Sequence, residues 1–224
     1  MRQPPVDTVE PTQVRRLRRV NLVAAVSFVF GGSFFALGAL FAQLGVGSLV
    51  AVNATYLVGG FCFSLGGYAS ILLAEPHQRG WRSAVVLFVG TLVFAVSLVA
   101  AFAQGLTPRQ SNGWIWLPDI IGCLCFLASG HLAMLEVGEG HIRVRPGVTG
   151  WWVVAVNQLG SILFFLAGIA AFTRPATSSA VDIGLVNWGT FAGAVCFAVG
   201  GVIQAFQTPT PKRTVVLQRH DTTH

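Results

Sequence analysis

Charge is scarce in this chain. Of 224 residues, 14 are Lys or Arg and 8 are Asp or Glu, together 10%, whereas a soluble domain carries about 25%. So few charges could not cover the surface of a soluble domain. Cysteine is scarce too. Cys62, Cys123, Cys125 and Cys196 all fall in apolar stretches, so they do not read as a disulfide framework. Cys123 and Cys125 point about 200° apart on a helix, which makes the pair no chelate. The motifs of common chemistries are missing: there is no P-loop, dinucleotide fingerprint, HExxH or nucleophile elbow. No cofactor or resident metal is expected. A pI near 9.9 comes without any recognition motif, so no nucleic-acid partner is expected.

What the chain has instead is long apolar runs. Hydrophobic residues make up 54% of it. About 20 apolar helical residues cross a bilayer core, and six blocks reach that length: 21–43, 48–74, 83–104, 114–135, 151–172 and 181–206. None has Lys or Arg in its interior. Hydrocarbon offers no partner to an unpaired backbone group, so the spans should be helices. The first block follows twenty polar residues and reads as a retained helix, not a cleaved signal. Residues 1–20 form a basic tail, 21–206 the membrane domain and 207–224 a second polar tail.

The basic residues divide unevenly. Arg2, Arg15, Arg16, Arg18, Arg19, Arg79, Arg82, Arg143, Arg145, Lys212, Arg213 and Arg219 fall on one side, and only Arg109 and Arg174 on the other. The positive-inside bias places both termini in the cytoplasm. Arg15–Arg19 also suits anionic lipid. Trp81, Trp151 and Trp152 sit at inner helix ends, and Trp114 and Trp116 at an outer one, as interfacial Trp does.

A triplet of Gly, Phe and a small residue, G-x3-F-x2-[G/S/A], occurs once in every span. The instances are Gly31, Phe35 and Gly38; Gly59, Phe63 and Gly66; Gly90, Phe94 and Ser97; Gly122, Phe126 and Ser129; Gly160, Phe164 and Ala167; Gly193, Phe197 and Gly200. Offsets of 0, 4 and 7 lie on one helix face. In lipid, helices associate through small residues that let backbones approach, so each triplet reads as a packing seam. The even-numbered spans also share Cys62, Cys125 and Cys196, three residues after the Gly. Those thiols are small packing residues, or a soft-ion site if they converge. The expected fold is therefore all-α: six transmembrane helices as three parallel helical-hairpin repeats.

Asn53, Gly59, Phe63 and Gly66, and again Asn187, Gly193, Phe197 and Gly200, give an Asn-led pattern that resembles the YrhK-like membrane proteins. The resemblance spans the three hairpins and implies a small bacterial multipass protein of the plasma membrane, with no established activity. The typical family unit is one hairpin. This chain has three, and its fourth span departs with Asp119 and Ser129.

Polar residues inside the spans are the candidate sites. Asp119 follows Pro118, so it either caps the fourth span or binds a proton or cation. Asn53 and Asn187 stand near outer helix ends with it, and Asn157 is a further polar residue. Asp182 reads as an interfacial cap. His131 lies about 180° from the seam, and so marks a second helix contact or an oligomer interface. Glu75, His77, Glu136, Glu139 and His141 are metal-ligand residue types in equivalent loops, but read more simply as solvated helix ends. Two functional readings stand ahead: a non-enzymatic scaffold that assembles through the Gly/Phe seams, or a small transporter or channel with Asp119, Asn53 and Asn187 in an outward vestibule and His131 further along the path. An intramembrane enzyme is a third. Expected partners are membrane lipids, with copies of the chain or another membrane protein.

Overall fold

The computed structural model describes residues 11–207. Arg2, Lys212, Arg213, Arg219 and most of the two tails lie outside that range. Within it the chain is helical: α1 (Pro11–Leu44), α2 (Leu49–Leu73), α3 (Arg79–Ala100), a short α4 (Pro108–Ser111), α5 (Leu117–Val137), α6 (Thr149–Ala170) and α7 (Ile183–Ala205). A π-helical segment, Asn112–Trp116, joins α4 to α5. Six helices are long and apolar enough to cross a membrane, α4 to α5 counting as one. The protein is a multipass membrane protein. Its outward faces are apolar: Val26, Phe30, Phe61, Leu65, Leu124 and Ile162 are all exposed.

Helix starts follow local chemistry. Ser48 caps α2 by accepting from the Ala51 N–H at 3.2 Å. Asp182 caps α7 by accepting from the Leu185 N–H at 3.0 Å, as its position suggested. Thr107 and Gln110 form a capping box on α4. α1 begins at Pro11, ten residues before its apolar block. The helix thus continues through Arg15–Arg19, where a tail was expected.

The six spans form a closed ring. Each packs on its neighbours in sequence, and α7 closes on α1. The seam triplets face partners within the chain. A Cβ on Gly59 would stand 2.6 Å from the Phe35 ring, and one on Gly31 would stand 2.9 Å from the Phe63 ring. The same exchange joins α3 to α5 (Gly90 to Phe126, Gly122 to Phe94) and α6 to α7 (Gly160 to Phe197, Gly193 to Phe164). All six seam Phe rings therefore meet at the ring's centre. Phe35, Phe94 and Phe164 form one layer, with centroids 5.8, 5.9 and 6.5 Å apart. Phe197 lies 5.2 Å from Phe63 and 6.4 Å from Phe126 in a second layer, nearer the end of the bundle where α1 starts and α7 finishes. Each aromatic pair contributes about 0.5–1.5 kcal/mol beyond its buried area.

Candidate functional site

A cavity lies on each side of the double Phe layer. The larger, about 290 Å³, opens toward the end of the bundle where α1 starts and α7 finishes, and every spanning helix lines it. Phe28, Phe126 and Phe197 close its inner end; Ser70, Asn157, Ser161 and Gln204 stand on its wall. The smaller, about 50 Å³, lies beyond the Phe layers, between Asp119, Cys123, Phe94, Phe164, Gly168 and Thr190.

Asp119 is not a helix cap. The helical path already starts at Thr107, and the Leu117 N–H donates to Asn112 O in the π-helical segment. The first-turn amides of α5 are thus already bonded when the chain reaches Asp119. Pro118 sits inside this path, where the wider turn accommodates its missing N–H. The carboxylate turns toward α6 instead. A Cβ on Gly168 would stand 2.9 Å from Asp119 Oδ2, so that glycine makes the room it occupies. Among the described residues no hydrogen bond or ion pair to the side chain of Asp119 is formed.

Register explains the neighbours of Asp119 better than distance from the helix end does. Asp119 lies three residues before its seam glycine, as Tyr56 and Thr190 do before theirs. Asn53 and Asn187 lie six residues before theirs, and the matching residue in α5 is Trp116. These three do one job. Asn53 Nδ2 donates to Ala101 O at 2.7 Å, Trp116 Nε1 to Gly168 O at 2.9 Å and Asn187 Nδ2 to Gln43 Oε1 at 3.0 Å. Each reaches from one hairpin to the first helix of the next around the ring. Asn53, Asp119 and Asn187 are therefore not gathered in one vestibule.

The other candidates are dispersed. His131 is exposed on the outer surface of the bundle, far from Asp119, and the two do not meet. Asn157 Oδ1 is buried against Gly200 without a hydrogen-bond partner. Cys125 and Cys196 face Gly90 and Gly160, each within its own hairpin. Among the described residues no group of three metal-ligand side chains forms. Glu139 pairs with Arg145 at 2.9 Å, and His77 lies beside Trp81 with ring centroids 5.7 Å apart and the rings tilted by 45°. Sequence reasoning missed the serine exchange between α3 and α5: Ser83 Oγ donates to Ser129 O and Ser129 Oγ to Ser83 O, both at 2.9 Å. The signal available was Ser129 in a seam position.

Comparison of the chain with models of known families, with curated proteins and with solved structures finds no match. The likeness to the YrhK-like proteins rests on the residues quoted for it alone.

Proposed function

We propose that this protein carries or conducts a small solute across a membrane along the axis of its helix ring, and that the Phe layers are its closed gate. The observation that carries this reading is the vestibule of about 290 Å³, lined by every spanning helix and ending on Phe126 and Phe197. A bundle built only for packing has no need of an axial cavity drawn from all its helices. Asp119 stands beyond the gate, in the small cavity that Phe94 and Phe164 also line, and intramembrane carboxylates commonly mark ion or proton paths. Hydrophobic constrictions gate by excluding water, which is the role assigned to the Phe rings. The charge bias argues that the vestibule faces the cytoplasm, and the family resemblance argues for a bacterial plasma membrane. Assembly through the Gly/Phe seams has less support, because every seam is already occupied by a helix of the same chain.

Reconstitution into proteoliposomes tests the gate. Phe126→Ala combined with Phe197→Ala should raise ion leak about tenfold or more over wild type, by removing a dewetting barrier. Phe197→Leu, a milder change, should raise it less. Wild-type leak in folded variants would refute an axial path.

A further inference from the structure

The vestibule's wall has an unusual hydrogen-bonding balance. Its donors are largely occupied. Ser70 Oγ donates to Gly66 O at 2.8 Å and Ser161 Oγ to Asn157 O at 3.0 Å. Ser83 and Ser129 donate to each other's carbonyls. Gln204 Nε2 donates to Asn21 Oδ1 at 3.2 Å. A hydroxyl that has given its proton keeps lone pairs, and an amide that has given one N–H keeps its carbonyl oxygen and a second N–H. The four wall hydroxyls are thus left as acceptors, and the remaining donors are amide N–H groups of Asn157 and Gln204.

Asn157 sharpens this. It lies three residues before Gly160, where Phe28 and Leu87 stand before Gly31 and Gly90, and all three line the vestibule. Two hairpins place an apolar side chain at this level; the third places an amide. Its oxygen is buried unpartnered against Gly200, an arrangement that costs free energy. Rotation of the amide, in the space a glycine leaves, would turn that acceptor toward the cavity. No Lys, Arg or His lines the vestibule, and the charged side chain that does is Glu136. The inner end is made of aromatic rings, which attract cations through their quadrupoles.

We infer that the vestibule is a binding site for a small organic cation, an ammonium bearing N–H donors on an apolar body. The ammonium sits at the level of Asn157 and Ser161 above the Phe rings, and the apolar body lies along Leu73, Leu87 and Val154. The volume is at the small end of ligand pockets, about 300–1,000 Å³, which suits a one-ring amine. An anion would find no Lys, Arg or His on the wall and would face the lone pairs of the four hydroxyls, and a neutral isostere would forgo the cation–π term. The inference rests on the transport reading for its purpose, but binding can be measured without transport.

The test uses the full chain in lipid nanodiscs and three probes of one shape: benzylammonium, benzyl alcohol and benzoate. Calorimetry and thermal unfolding should show binding by benzylammonium, with benzoate inert and benzyl alcohol about tenfold weaker or more, the scale of a charge-assisted hydrogen bond. Asn157→Leu should weaken benzylammonium about tenfold, and Ser161→Ala, a change too small to unfold the bundle, should weaken it severalfold. His131→Ala, on the outer surface, should leave it unchanged. Equal binding of all three probes, no binding of benzylammonium, or affinity indifferent to both wall variants would overturn the inference. Binding as expected without leak in the gate variants would leave the site standing and remove the transport reading.

Discussion

Gly160 and Gly193 meet backbone to backbone. A Cβ on Gly193 would stand 2.9 Å from Gly160 O and 2.8 Å from the Phe164 ring. The carbonyl cannot move without disturbing α6, and the ring is held in the central Phe layer. Gly193→Ala should therefore destabilise the protein by about 1–3 kcal/mol, as overpacking of a filled interior does. Gly113→Ala is the control, since a Cβ there meets nothing within 4 Å. Unfolding in bicelles distinguishes them. Equal stability of the two variants would show that the seam is loose.

The ring closes through polar contacts as well as glycine. Asn187 ties α7 to α1 through Gln43, as Asn53 ties α2 to the end of α3. Hydrogen bonds between membrane helices average about 0.6 kcal/mol. Asn187→Leu should therefore cost about that much in unfolding. Gln43→Leu combined with it should add little, because the two side chains serve one contact. Fully additive losses would mean that Asn187 and Gln43 act separately.

Much of this architecture is legible in the sequence, because membrane burial writes it in composition and period. Six apolar blocks give six spans, and offsets of 0, 4 and 7 give the faces on which Gly31 meets Phe63 and Gly193 meets Phe164. Asp182 is legible as a cap because it directly precedes an apolar run. Asp119 is misleading for a physical reason. A proline before a carboxylate usually marks a helix start, but here a π-helical segment carries the helix through Pro118 from a capping box eleven residues earlier, at Thr107. Partner identity is not legible at all. Nothing local to Trp116 says that its indole, rather than Asp119, is the counterpart of Asn53 and Asn187. That equivalence emerges when residues are counted from the seam glycine.

Asp119 offers the sharpest separation between a structural and a conducting role. Its carboxylate lies in the cavity beyond the Phe layers, against Gly168 and near Thr190, and it holds no described residue in place through a hydrogen bond. Asp119→Asn keeps the size of the side chain and removes the charge. A structural role would make the variant less stable and leave ion selectivity alone. A conducting role predicts the reverse: stability within about 0.5 kcal/mol of wild type, the range of changes that break no packing or hydrogen bond. In the Phe126→Ala, Phe197→Ala background, reversal potentials in asymmetric KCl should show a cation preference. Asp119→Asn should bring that preference severalfold toward parity, since a fixed charge beside a low-dielectric path sets which ion enters. An unchanged preference would take Asp119 off the path, even if the gate itself is real.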